Sequence, residues 1–156
     1  MQKTILYQQD YNLWLQENIK AIQEKRFNDL DYENLLQELE DMGKAEKNAL
    51  VSNLKILIAH LLKLKIQYDA PEQMKKSWYA SIDEHRERVS DALDNIPSLK
   101  SYLNEAIEKS YSGARKLAIK EGKRADFGVR KPLENEYPQE CPFSVEEILD
   151  EDFYVK

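Results

Sequence analysis

The stretch from Leu50 to Tyr68 reads LVSNLKILIAHLLKLKIQY, and in it Leu50, Leu54, Leu57, Leu61, Leu64 and Tyr68 recur at steps of four and three. That rhythm lines one face of a helix with large apolar side chains, which must be buried against other elements. The same run carries Lys55, His60, Lys63 and Lys65. Its strongly apolar part, Leu54 to Ile66, falls short of the roughly 20 residues needed to cross a bilayer, so it reads as a core helix and not a membrane anchor.

Working outward, the periodicity predicts three further amphipathic helices. Tyr11, Leu15, Ile19 and Ile22, with Trp14 beside them, predict a helix from about Asp10 to Lys25, followed by a turn over 26–30. Asp31 is the expected N-cap of the long helix, because its carboxylate can accept from the free N–H groups of the first turn. Leu35, Leu39 and Met42 extend the apolar face upstream. Gly43 is the weak point, costing about 1 kcal/mol relative to Ala in a helix, and predicts a bend or a close helix crossing. Pro71 marks the next break. A third helix follows to about Asn95 on Trp78, Ile82, His85, Val89, Ala92 and Ile96. Pro97 stops it, and Ser98 is the expected cap of a fourth helix carrying Leu99, Leu103, Ile107, Tyr111, Ala114 and Leu117 to about Gly122. An irregular segment over about 122–143 leads to Ser144-Val-Glu-Glu147, a capping-box pattern that starts a short helix at about 145–150. The expected fold is all-α: an antiparallel bundle of four main helices, one long, plus a short C-terminal helix, in a single domain over 1–156.

The 156 residues suffice for one packed core that buries roughly two thirds of the unfolded chain's surface. One cysteine, Cys141, leaves no intramolecular disulfide, and the polar first ten residues lack a signal-peptide core, so a cytoplasmic location is expected. Net charge is −6 but segregated. Asp29 to Asp41 holds Asp29, Asp31, Glu33, Glu38, Glu40 and Asp41 with no base. Lys109 to Lys131 is +6 locally through Lys109, Arg115, Lys116, Lys120, Lys123, Arg124, Arg130 and Lys131, and the chain from Pro132 onward is −7. Neighbouring blocks of opposite sign can dock on each other, or a block can meet a partner of opposite charge.

Chemistry-bearing patterns are sparse. Neither histidine has a Glu three residues before it, as an inward-facing di-iron pair requires, and no zinc-protease, phosphate-loop or nucleophile-elbow motif is present. One constellation survives. In a hairpin centred near Gln73, His60 and the His85–Arg86 pair lie at similar height, where a carboxylate such as Glu17 or Glu108 would complete a metal or acid/base site. The simpler reading has each histidine bonded to a neighbour at the core margin and Arg86 paired with an acid. Glu40 lies about 30 Å from His60 along one continuous helix and cannot join such a site. Trp14 and Trp78 fall on apolar stripes and read as core anchors. Cys141, beside Glu140, reads as an inert thiol.

The segments Asp10-Tyr-Asn-Leu-Trp14, Leu35-Leu-Gln-Glu-Leu-Glu-Asp-Met-Gly43, His60-Leu-Leu-Lys63, Ser77-Trp78, Glu140-Cys-Pro-Phe143, Ile148-Leu-Asp150 and Asp152-Phe153, with Ile82, Arg86 and Val89, resemble a bacterial family known as domain of unknown function 29, common in cyanobacteria. The resemblance runs in order across nearly the whole chain. It implies a cytoplasmic, all-helical, single-domain protein and supplies no activity. Glu38, Glu40, Gly43, His60, Trp78 and Arg86 match its motif positions. Where His85 stands, the family more often has glutamine, and the 122–137 stretch is longer and more basic than in many relatives.

These readings favour a non-enzymatic interaction protein. It would use the acidic start of the second helix (Glu38, Glu40) or the basic surface (Arg115, Lys116, Arg124, Arg130, Lys131) to bind another protein or a second copy, with no cofactor and no membrane. The alternatives are a metal-dependent or acid/base enzyme centred on His60 and Arg86 with His85, and a nucleic-acid binder using the basic segment, which the acidic total disfavours.

Overall fold

The computed structural model describes residues 2–125 and 128–155. Helix α1 spans Gln2–Gln9, α2 Tyr11–Gln23, α3 Tyr32–Ile66, α4 Glu72–Asn95, α5 Leu103–Gly122 and α6 Val145–Leu149, and no strand occurs among the described residues. The all-α expectation therefore holds, with α2, α3, α4 and α5 as the main helices and α6 as the short C-terminal one. The chain divides into two compact units, one up to Glu46 and one from Lys47 onward. Helix α3 is continuous through Gly43 and contributes to both.

The first unit is organised by Trp14, which is fully buried. Its indole N–H donates to Asp31 Oδ2 at 2.9 Å, supplying the partner that a buried tryptophan needs. Asn18 ties the same corner, donating to Trp14 O at 2.8 Å and accepting from Asp31 N at 2.9 Å. Asp31 also accepts from the Asn34 backbone at 3.4 Å and from its side chain at 2.7 Å, so it caps α3 while holding α2. Asp10 caps α2 through Leu13 N at 3.0 Å. Where α2 ends, Lys25 adopts φ 58°, with Arg26 N bonded to Ala21 O and Lys25 N to Ile22 O. This is the left-handed closure usually given to glycine.

This corner corrects the expected face of α2. The buried positions are Trp14, Asn18 and Ala21, while Tyr11, Ile19 and Ile22 stay half exposed. The hydrogen bonds of Trp14 and Asn18 to Asp31 rotate the helix away from its simple apolar stripe. The expected α3 extension is corrected too: Leu39 and Met42 are each 65% exposed. Helix α1 lies ahead of the expected start and packs its Tyr7 ring edge-on against Trp14, 4.7 Å between centroids.

In the second unit, Leu50, Leu54, Leu57, Leu61 and Leu64 of α3 are all buried as the seam requires. They share one core with Trp78, Ile82, Val89 and Leu93 of α4, with Leu103, Ile107 and Tyr111 of α5, and with Ile148 of α6. Each such side chain contributes roughly 1.5–3 kcal/mol. Tyr68, the last member of the expected seam, lies beyond the helix end and is 69% exposed, with the Arg130 guanidinium over its ring. Ser98 does not cap α5. Pro97 opens a tight 3-10 stretch, Pro97–Tyr102, in which Leu99 N bonds to Ile96 O at 2.9 Å, and the α-helix begins only at Leu103. Insertion of Leu99 into the core, at 4% exposure, holds this tightened path. The capping box at α6 forms as expected: Ser144 Oγ accepts from Glu147 N at 3.1 Å and Glu147 Oε1 from Ser144 N at 2.9 Å.

Candidate functional site

His60 and His85 are both served by their own helices. His60 Nδ1 donates to Ile56 O and His85 Nδ1 to Ser81 O, each at 2.8 Å, because a carbonyl can only accept. Burial holds His60 below its ordinary pKa of 6.5, an effect reinforced by the nearby charge of Lys63 and, more weakly, by His85. Arg86 points elsewhere: at 4% exposure, its Nε donates to Ile148 O at 2.8 Å and its Nη2 to Phe153 O at 3.0 Å and Glu147 O at 3.3 Å. It fastens the C-terminal segment to α4 and takes main-chain carbonyls as partners where the sequence suggested an acid. Among the described residues no three His, Cys, Asp or Glu side chains group closely enough to hold a metal ion. Burial raises the Cys141 thiol, which keeps it protonated.

Helical spacing did not reveal the charged pair beside His60. Lys63, 7% exposed, donates to Glu121 Oε2 of α5 at 2.5 Å and lies 4.6 Å from the Trp78 ring centroid. Its place inside an apolar run was the available signal, but the partner is 58 residues away in sequence.

The basic block is partly consumed within the second unit. Arg115 donates to the carbonyls of Glu134, Tyr137 and Pro138 at 3.1–3.2 Å. Lys123 pairs with Glu134 at 2.8 Å, and Arg130 reaches Glu136 at 2.6 Å, Asp69 at 3.4 Å and Ile66 O at 2.8 Å. Lys116, Arg124 and Lys131 are exposed and form no ion pair with any described residue. A nucleic-acid reading has correspondingly less free charge to draw on.

In the first unit, Glu38 accepts from the hydroxyls of Tyr7 and Tyr11, the latter at 3.0 Å. The carboxylate raises both phenols, Tyr7 to about 12, and ties α1 and α2 to α3. Glu40 is exposed. Between them runs an uncovered apolar line. Tyr32, Leu36 and Leu39 are 59%, 58% and 65% exposed, and with Gly43 they keep the four-and-three rhythm that continues into Leu50 and the buried seam. Met42 flanks them at 65%. Gly43 is itself exposed, and a Cβ built on it would meet nothing within 4 Å. No neighbour within the described residues requires a glycine there.

Residues 6–154 match the family described as domain of unknown function DUF29. The chain belongs to that family. No curated protein and no solved structure matches it. In this DUF29 chain the motif positions serve different ends. Trp78 lies in the core, Arg86 anchors the tail, Glu38 ties α1 and α2 to α3, and Gly43 sits on the uncovered face. No helix is long and apolar enough to cross a membrane among the described residues.

Proposed function

We propose that this DUF29 chain is a non-enzymatic interaction protein whose first contact is the face of α3 formed by Tyr32, Leu36, Leu39 and Gly43. The observation that carries the reading is Gly43. A glycine inside a helix costs about 1 kcal/mol relative to alanine, and nothing within the described residues packs close enough to need it. A partner helix crossing there would use the missing side chain to bring its backbone close. The exposed apolar line on either side, on the order of a few hundred Å², is of the size that marks a binding patch on a monomer.

The partner's chemistry follows from the border. Glu33 and Glu40 fall beside Leu36 on the helix surface, and the stretch from Asp29 to Asp41 contains no base. The fitting partner is another protein presenting an apolar helix with a lysine- or arginine-bearing edge. Charge at such a rim sets orientation and association rate, while the apolar centre supplies affinity.

The test is capture of the tagged chain's partner from its native cells after nuclease treatment, comparing wild type with Leu36→Asp plus Leu39→Asp and with Arg124→Glu plus Lys131→Glu. Loss of a stoichiometric partner with the first pair and retention with the second supports this surface. Loss only with the second assigns binding to the basic segment. A dimer in sedimentation that the first pair dissolves assigns the face to a second copy.

A further inference from the structure

Within the second unit, the seam between α3 and α5 gathers lysines from both helices, on a surface separate from the α3 face of Tyr32 to Gly43. Near the end of α3, Lys63 pairs with Glu121 of α5. Eight residues earlier on each helix stand Lys55 and Gly113, and a Cβ on residue 113 would lie 2.8 Å from Lys55 Cδ. Any larger residue would push that stem aside. Glycine therefore lets Lys55 lie across α5 while offering it no carboxylate. Further up the seam, Lys47 of α3 and Lys109 of α5 converge on one ring, their ammonium groups 5.0 and 5.4 Å from the Tyr102 centroid. Lys116 and Lys120 complete the surface: with Lys109 they stand three, seven and four residues from Gly113, steps that share one helix face. All five lysines are exposed. Among the described residues they form a single ion pair, Lys109 with Glu105 at 3.9 Å. Lys116 and Lys120 are also like charges at i,i+4, a spacing that costs stability. Positive charge drawn from two helices and left without counter-charge calls for an anionic partner.

The chemistry of the surface favours acidic protein over nucleic acid. Its cations are all lysines, point charges without the planar fork with which arginine grips phosphate. Its aromatic ring, Tyr102, is half-buried and already carries two ammonium groups, so it offers no platform on which a base could stack. The chain as a whole is −6, which repels a long polyanion, whereas a short acidic segment feels mainly the charges within a Debye length of about 8 Å. We propose that this surface docks an acidic helix of a partner protein. Lys109, Lys116 and Lys120 are seven and four residues apart, about 10.5 and 6 Å along the axis at 1.5 Å per residue. Glutamates at the same steps on a helix lying alongside α5 meet them, and Lys47 and Lys55 reach it from the α3 side.

The probe is a fluorescein-labelled, alanine-rich helical peptide with glutamates at steps of seven and four, titrated into the full chain at low salt and followed by anisotropy. The variant is Lys55→Glu plus Lys116→Glu. Lys20→Glu plus Lys25→Glu changes the net charge equally but lies in the first unit. All four substituted residues are exposed, and circular dichroism checks that both variants keep the wild-type helix content. An oligothymidine of equal charge serves as competitor. The expected results are saturable binding, a Kd at least tenfold weaker in the seam variant and within twofold of wild type in the charge-matched one, and poor competition by the oligonucleotide. Absence of binding at low salt, or equal loss in the two variants, would overturn the proposal. An oligonucleotide that displaces the peptide at equal charge would overturn it too, assigning the surface to nucleic acid. Leu36→Asp plus Leu39→Asp should leave peptide binding unchanged, which separates this surface from the α3 face.

Discussion

Replacing Gly43 with alanine should make the chain more stable and its partner binding weaker at once. The residue has ordinary helical geometry within α3, is exposed, and has no atom within 4 Å of where a Cβ would stand. The added methyl therefore meets no clash. It removes backbone freedom from the unfolded chain and gains helix propensity, together about 1 kcal/mol. For a chain of this length that corresponds to a rise of roughly 2–4 °C in Tm. Local opening of α3 should fall by the same factor, about fivefold in hydrogen exchange of the amides around residue 43 if they exchange by local opening. Thermal melts and native-state exchange of the two proteins measure both quantities. The opposite sign is expected in partner capture, because the methyl occupies the space a crossing helix would use. An unchanged or lowered Tm would refute the claim that Gly43 is unconstrained within the chain. A stabilised variant with undiminished capture would refute its assignment to the interface.

Three other perturbations probe the second unit. Glu121→Gln leaves the Lys63 ammonium buried with a weaker partner and should cost about 1–3 kcal/mol by chemical denaturation, whereas Lys63→Met, which keeps the stem over Trp78, should cost less than Lys63→Ala. Gly122→Ala would place a methyl 2.5 Å from the hydroxyl of Tyr137, itself 2% exposed; the expected loss is about 1–3 kcal/mol, and Tyr137→Phe in the same background should restore part of it. Because burial lowers the His60 pKa, the unfolded chain takes up that proton first as pH falls. Stability should therefore decline below about pH 6.5, the ordinary value, with a shallower slope in His60→Gln; equal slopes between pH 6.5 and 5 would contradict the assignment.

Much of the fold was legible because it is encoded by short-range rhythm. The seam from Leu50 to Leu64, the stop at Pro97 and the Ser144–Glu147 box depend on residues within a few turns of one another, so helical geometry alone predicts them. The Asp31 cap was legible for the same reason. The face of α2 was not, since it is set by hydrogen bonds between Trp14, Asn18 and Asp31 that compete with apolar periodicity. The Ser98 cap failed because burial of Leu99 favours a tighter turn than local propensity does.

The candidate surfaces divide in the same way. The amino-acid sequence by itself determined an all-helical chain with an acidic start to α3, a basic stretch near α5 and a glycine in the long helix, because composition and period are local properties. Tertiary structure alone decided which of those features are already used. It took Arg115 and Arg130 into contacts with the segment after α5, turned Arg86 toward the tail carbonyls, and paired Lys63 with Glu121. It also left Leu36, Leu39 and Gly43 uncovered on the same helical line whose continuation is buried. Burial and pairing depend on what the distant chain brings alongside a residue, and one helix face carries no local mark of that.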